Sequence, residues 1–296
     1  LGIDLGGTNI KYGVVENGRI IESSQCPTPS DRGYEETLSL LVNISRDILE
    51  RYPDIDRIGL ASPGIIDINA GIVNYSNNFN WHNVPICGDL KRSLGKKVRI
   101  ANDAQCATLA EAIYGAGKDF SRVAMITIGT GVGGGFIVNK KLETDKYGSM
   151  AYIFGHMTIR HNGELCNCGK HGCLEAYSSA SALLKMPNGT AHEGVSVIDL
   201  FELARNGDIL ACKIMDEFIG YLSTGVVNIA NILRPHVIII GGGVSGSADL
   251  ILPSIKKVMQ KDVYGYDYAR VEIAKAELGN SAGLVGDASL YETERG

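Results

Sequence analysis

Apolar and polar residues alternate through LGIDLGGTNIKYGVV around a Gly-Gly turn, and NGRII returns after an Asn-Gly signal. The period of two predicts strand, turn, strand over residues 1–22. The pattern then changes period. In YEETLSLLVNISRDILERYP the apolar positions Leu38, Leu41, Val42, Ile48, Leu49 and Tyr52 recur at helical spacing, and the run ends at Pro53. RIGLAS is a buried strand that stops at Pro63-Gly64, and KKVRIAND is another. The helix AQCATLAEAIYGAG follows, with Asn102 or Asp103 at its start and Gly115 near its end. The order then partly repeats. RVAMITIGTGVGGGFIVNKKL reads as strand, glycine loop, strand, and ACKIMDEFIGYLSTGVVNIANIL as a helix. PHVIIIGGGVS, a helix through Ile251 to Met259 and YARVEIAKAEL form a β-α-β unit, and SAGLVGDASLYETE is a last helix. Two half-chains with the same opening predict an α/β protein of two similar domains with a ligand cleft between them. The boundary is expected near Gly117-Lys118, giving residues 1–117 and 118–280, with the helix 281–296 rejoining the first domain.

Composition narrows the class. The chain has 296 residues, 45% apolar and 21% charged, as in an ordinary globular protein, and is long for one core. Net charge is −5 and no basic run occurs, so neither nucleic acid nor a membrane surface is an expected partner. No stretch approaches the roughly 18–20 apolar residues that span a bilayer, and no signal peptide opens the chain, so a cytoplasmic setting is expected. The first residue is Leu1, not Met, which reads as a short piece missing in front. Seven cysteines, an odd count, argue against a disulfide framework.

Glycine is abundant, at 37 residues, and clusters in three places. In DLGGT, Gly6 and Gly7 let backbone N–H groups approach an anion, Thr8 can donate to a phosphate oxygen, and Asp4 can hold magnesium through water. A plain hairpin turn is the competing reading. GTGVGGG, Gly129 to Gly135, contains a formal GxGxxG, but a strand follows it where a dinucleotide fold needs a helix. A hairpin phosphate loop fits it better. GGGVSG, Gly241 to Gly246, does sit between strand and helix. It is either a dinucleotide turn or a lip for an adenine ring. A nucleoside triphosphate would use all three clusters, a dinucleotide only the last.

His156, Cys166, Cys168 and Cys173 have the spacing H-x9-C-x-C-x4-C, which suits a tetrahedral Cys3His zinc site with no open position and hence a structural role. His161 and His171 are alternatives for the fourth ligand. Asn102 and Asp103 stand where a buried strand becomes a helix, the usual ligand end of an α/β sheet. Beyond capping the helix, Asp103 can take a proton from a substrate hydroxyl while Asn102 holds a neighbouring one. The helix dipole is expected to keep Asp103 ionised.

Taken in order, DLGGTNIKYG, GLASPGIID, NDAQCATLAEAIYGAG, TIGTGVGGGFI, CNCGKHGCLEAYSS, NILRPHVIIIGGGVS and LGNSAGLVGDA resemble the ROK family of bacterial sugar kinases and sugar-responsive repressors, over essentially the whole chain. The resemblance implies the hexokinase and actin-like ATPase (ribonuclease H-like) fold, and ATP-dependent phosphorylation of a hexose 6-hydroxyl. It implies Asp103 as catalytic base and Gly64, Asn78, Asn102, His156 and Glu175 as sugar contacts. It also implies Asp4, Gly6, Gly7, Thr8 and Lys11 as the first phosphate and magnesium loop, and Thr130 and Gly131 as the second. Gly242, Gly243 and Val244 would take adenosine. ATP, Mg2+, a structural Zn2+, a small-molecule sugar and a homodimeric assembly go with it.

One stretch departs from the family. Where members read AGE-I-G-H, this chain has Ala151, Tyr152, Ile153, Phe154, Gly155 and His156. A glutamate at 153 would accept hydrogen bonds from the sugar's 1- or 2-hydroxyl, which isoleucine cannot, and a buried hydroxyl left unpaired costs about 1–3 kcal/mol. Three consequences are ranked. The substrate carries a substituent at position 1 or 2, as in an N-acylmannosamine or β-glucoside; another acid substitutes; or activity is weak. A non-catalytic regulatory protein is the rival class, and it would carry a helix-turn-helix segment ahead of DLGGT. A dinucleotide-dependent enzyme is the third.

Overall fold

The computed structural model describes residues 1–146, 148, 152–268 and 270–294. By its internal contacts the chain divides into two units, residues 1–118, 136–151 and 278–296 in the first, and 119–135 and 152–277 in the second.

In the first unit, β1 (Gly2–Leu5) turns at the first glycine pair into β2 (Asn9–Glu16), and β3 (Arg19–Pro27) pairs back on β2. Helix α1 (Tyr34–Arg51) buries Leu41, Val42 and Ile48, and β4 (Arg57–Ser62) follows. Short strands β5 (Ile65–Asp67), β6 (Ile72–Ser76) and β7 (Trp81–Val84) form a three-stranded sheet of their own. Then come α2 (Ile86–Leu94), β8 (Lys97–Asn102) and α3 (Asp103–Tyr114). The main sheet has the order β3-β2-β1-β4-β8, with β4 parallel to both β1 and β8.

The second unit opens with β9 (Arg122–Ile128) and the start of β10 (Val132–Val138), while the end of β10, from Phe136, and β11 (Lys141–Leu142) are counted with the first. It continues with α4 (Glu175–Ser178), α5 (Ala180–Leu183), α6 (Val197–Arg205) and the long α7 (Ile209–Leu233). After these, β12 (Val237–Gly241), α8 (Ala248–Asp262) and β13 (Glu272–Lys275) complete the sheet order β11-β10-β9-β12-β13. β12 reads VIIIG and is buried throughout, as a central strand covered on both faces must be. The Asp208 carboxylate caps α7 by accepting from the Ala211 N–H at 2.8 Å.

Back in the first unit, α9 (Ala282–Ala288) lies against β1, β4 and α3. Backbone meets backbone there. A Cβ on Gly59 would come 1.6 Å from the Asp287 carbonyl oxygen, and one on Gly286 would come 1.9 Å from that of Cys106. Only glycine permits this approach. The buried Glu111 of α3 accepts from the N–H groups of Ala116 (2.9 Å) and Leu278 (2.8 Å), tying the end of α3 to the chain entering α9.

Two expectations change, and one open alternative is decided. The last helix stops at Ala288 and continues as a 3-10 turn, Ser289–Glu294. There the Ser289 hydroxyl bonds back to the Val285 carbonyl at 2.6 Å. The second glycine cluster is a turn only over residues 129–131; Gly133, Gly134 and Gly135 belong to β10. Gly134 makes room for the Phe154 ring, which a Cβ would meet at 2.6 Å. The N-cap of α3 is Asn102, and Asp103 is its first helical residue.

Candidate functional site

In the first unit the candidate residues gather at the ends of β1, β4 and β8. Asn102 is buried and hydrogen-bonded through both ends of its amide. Its Oδ1 accepts from the Ala104 N–H at 3.0 Å, and its Nδ2 donates to the Gly64 carbonyl at 3.4 Å. Asp103 Oδ1 also accepts from the Ala104 N–H, at 2.9 Å. The turn at Gly6, Gly7 and Thr8 is braced by Thr28, whose hydroxyl donates to the Gly6 carbonyl (2.7 Å) and whose N–H donates to the Thr8 carbonyl (2.9 Å). Asn78 stands beside that turn, with its Nδ2 2.8 Å from where a Gly7 Cβ would be. Lys11 sits opposite Asp4 in the β1–β2 register.

Opposing effects act on Asp103. The helix N-terminus and the bonds from Ala104 and Asn102 favour its ionised form, while loss of hydration acts against it and raises its carboxyl above the usual value. Asp4 is also raised, by burial first and the Asp103 charge second, with Lys11 opposing. Asp287 of α9 is pushed well up by burial and then by the Asp4 charge. Among the described residues neither of its oxygens has a nitrogen or oxygen hydrogen-bond partner, and the Cys106 thiol favours its charged form. Sequence reading missed Asp287; its signal was an acid on the apolar face of a helix whose neighbours Leu284 and Val285 are buried.

In the second unit, β9 and β12 run parallel from Val123 opposite Val237 to Thr127 opposite Gly241. The second and third glycine clusters thus leave adjacent strand ends. Gly242 adopts φ +80, and a Cβ there would lie 2.4 Å from the Ile128 carbonyl oxygen. Gly243 opens a 3-10 turn and Val244 is buried. The Thr130–Gly131 turn is held from both sides. Gly129 accepts from the Ala180 N–H at 2.8 Å, and Glu175 Oε2 accepts from the Val132 N–H at 3.0 Å.

The Cys/His loop follows. The ligand atoms of His156, Cys166, Cys168 and Cys173 all lie within 4.8 Å of one another. The Sγ atoms of Cys168 and Cys173 are 3.7 Å apart, as are Cys166 Sγ and His156 Nδ1. A tetrahedron of zinc bonds has edges of about 3.5–3.8 Å, so the donor set fits zinc. His156 takes the fourth place. His171 Nδ1 instead meets the Gly163 carbonyl at 2.9 Å, and His161 is outside the cluster. Glu175 Oε1 lies 3.6 Å from Cys166 Sγ, so one carboxylate joins this loop to the Thr130–Gly131 turn.

The sequence pattern of one family matches residues 1–294, described as "ROK family". The chain belongs to the ROK family. Among its ROK relatives, the glucokinase of Thermotoga maritima is 32% identical over 312 residues, covering 100% of this chain and 98% of the relative. The N-acetyl-D-glucosamine kinase of Haemophilus influenzae is 30% identical over 306 residues, covering 99% of each. A ROK glucokinase from Streptomyces griseus, solved with glucose and AMPPNP, is 31% identical with a TM-score of 0.82, covering 98% of this chain and 97% of the other. The α/β fold of the hexokinase and actin-like ATPase type, expected from the resemblance, is the fold found.

The stretch that departs from other ROK sequences is partly described. Ala151 lies outside the described residues, as do Tyr147, Ser149 and Met150. Tyr152 has φ +68, a conformation that suits the glycine expected there and strains a tyrosine. Ile153 is 48% exposed, a large apolar side chain facing outward. Among the described residues no helix is long and apolar enough to cross a membrane.

Proposed function

We propose that this ROK chain is an ATP-dependent sugar kinase acting on the 6-hydroxyl of a hexose or hexose derivative. The observation that carries the reading is Asp103, the first residue of α3, set behind the Asn102–Gly64 tie and within the field of Asp4. Similarity to sugar kinases along the whole chain supports the reaction class.

Asp103 accepts the 6-hydroxyl proton as that oxygen bonds to the γ-phosphorus. The bond from phosphorus to the β,γ-bridging oxygen breaks, and ADP leaves with its electron pair. Asn102, Gly64, Asn78, His156 and Glu175 hold sugar hydroxyls. Gly6 closes the turn, its N–H donating to the Asn9 carbonyl at 3.1 Å. The N–H groups of Gly7 and Thr8, the Thr8 hydroxyl and the Lys11 ammonium receive phosphate oxygens, with Thr130 and Gly131 as the second phosphate turn. Gly242, Gly243 and Val244 receive adenosine. Asp4 would hold magnesium through water, and that ion supplies neutralisation of phosphate charge. His156, Cys166, Cys168 and Cys173 would hold one zinc ion in a closed, structural site. A homodimer is the assembly proposed with this reading, measurable by light scattering. A reducing, cytoplasmic setting is proposed too, since all seven cysteines are free.

For the substrate, the outward Ile153 favours a sugar substituted at position 1 or 2, against which it packs. The N-acetyl-D-glucosamine kinase among the relatives supports an N-acyl group. The test is ATP consumption across free hexoses, N-acyl hexosamines and β-glucosides, with the phosphorylated position determined. No turnover of any sugar overturns the kinase reading, and fast turnover of plain glucose with ordinary affinity overturns the substituent. Ile153→Glu is expected to shift kcat/KM toward unsubstituted glucose by about tenfold.

A further inference from the structure

The first unit holds a second concavity, away from the glycine turn and Asp103. It is a cavity of about 760 Å³ lined by α2, the first four residues of β8, the 68–71 turn and Tyr291. Such a volume suits a small-molecule site. Its charge is one-sided. Lys91, Lys97 and Arg99 line it, and among the described residues no carboxylate does, in a chain whose net charge is −5.

The three cations are differently held. Arg99 is fixed: its Nη1 donates to the Leu290 carbonyl at 3.0 Å, and its guanidinium carbon lies 4.7 Å from the centre of the Tyr291 ring. Lys91 and Lys97 make no side-chain hydrogen bond or ion pair among the described residues. β8, which carries Lys97 and Arg99, is the edge strand of its sheet among the described residues. Asn69 and Thr144 add neutral polar groups, and Ile68 and Leu142 an apolar floor. The Lys91 and Lys97 ammonium groups converge on one concavity and repel unless an anion lies between them.

We propose that this cavity binds a small oxyanion of two or more charges, a phosphate ester or a polycarboxylate, as an effector site distinct from the proposed ATP and sugar residues. Arg99 presents a preset guanidinium, and Lys91 and Lys97 close on the ligand from α2 and the start of β8. The inference stands whether or not the chain phosphorylates sugars.

The experiment is acylation of lysines in the full chain at constant ionic strength, read residue by residue by mass spectrometry. Inorganic pyrophosphate is titrated in one arm and citrate in the other. Lys91 and Lys97 are expected to be protected with one shared midpoint, while the exposed Lys140 and Lys141 are not. Lys11 reports binding at the glycine turn separately, so failure of that site is distinguishable. Lys97→Gln is expected to weaken the midpoint read at Lys91 by about tenfold. Protection by either probe supports the site and assigns its anion class. Unchanged rates at Lys91 and Lys97 with both probes overturn it, as does protection at Lys91 indifferent to Lys97→Gln.

Discussion

Each unit opens its sheet with a strand, a glycine turn and a second strand, yet the two turns are held by different chemistry. In the first unit Thr28 braces the turn through a hydroxyl and an N–H, both donating to carbonyls, which leaves the N–H groups of Gly7 and Thr8 for an incoming anion. In the second unit a carboxylate does the bracing. Glu175 takes the Val132 N–H and reaches Cys166 of the Cys/His cluster with its other oxygen. The same backbone device is thus self-supporting in one half and dependent on a metal-type loop in the other. Acid and base chemistry is divided as unevenly. In the first unit burial and the Asp103 charge raise Asp4, and burial with the Asp4 and Asp103 charges raises Asp287.

The contrast can be broken most severely at Asp103. Asp103→Asn keeps the helix start, because the cap is Asn102, and is expected to retain ATP and sugar binding while turnover falls about 10²–10⁴-fold. Near-normal turnover would remove Asp103 from the role of base. Next is the Cys/His loop. Cys173→Ser, or chelation, is expected to release one zinc per chain and cost more than about 4 kcal/mol in unfolding experiments. Hydrogen exchange should rise around Thr130 to Val132 and stay unchanged at Gly6 to Thr8. An equal rise at both turns would erase the distinction between them.

Asp287 tests the first unit by pH. A carboxyl raised by folding binds its proton more tightly in the native state, so it contributes stability in full below the unfolded value. That contribution is lost as pH rises through the raised native value. Between the two the slope is about −1.4 kcal/mol per pH unit. Glu22, Asp208 and Asp249 are held low by Arg51, by the Ala211 N–H and by Arg205, and slope the other way, so the difference between wild type and Asp287→Asn isolates the effect. Asp287→Asn is expected to gain stability relative to wild type as pH rises, read from urea midpoints; parallel curves would refute it. The smallest effect is at Tyr152. Tyr152→Gly relieves a positive φ and is expected to stabilise by about 1 kcal/mol, net of the lost ring contact with Phe154.

How much of this was legible depended on element length. Long periodic segments such as α1 and α7, and the buried runs of β4 and β12, announce themselves. Strands β5, β6 and β7 were missed because runs of three to five residues joined by Asn-rich turns give no period to count. α2 and α4–α6 were missed as well, and α4 and α5 are single turns stabilised by what they pack against. For the site, the glycine turns, the Asn-Asp pair and the cysteines were visible as local spacing. Asp287 was read as part of a helix and nothing more, because its importance lies in Asp4 and Cys106, far away in the chain.

What the sequence by itself determined is therefore what local stereochemistry enforces. Glycine pairs end strands, the Asn102–Asp103 pair starts a helix, and C-x-C with a following glycine turns two sulfurs the same way. Only the tertiary structure chose His156 over His161 and His171, tied Glu175 to the second turn, and enclosed Asp287. It also brought Lys91, Lys97 and Arg99 around one cavity in a chain with no basic run. Those choices depend on distances between residues that neither periodicity nor spacing encodes, because they are set by how sheets and helices pack.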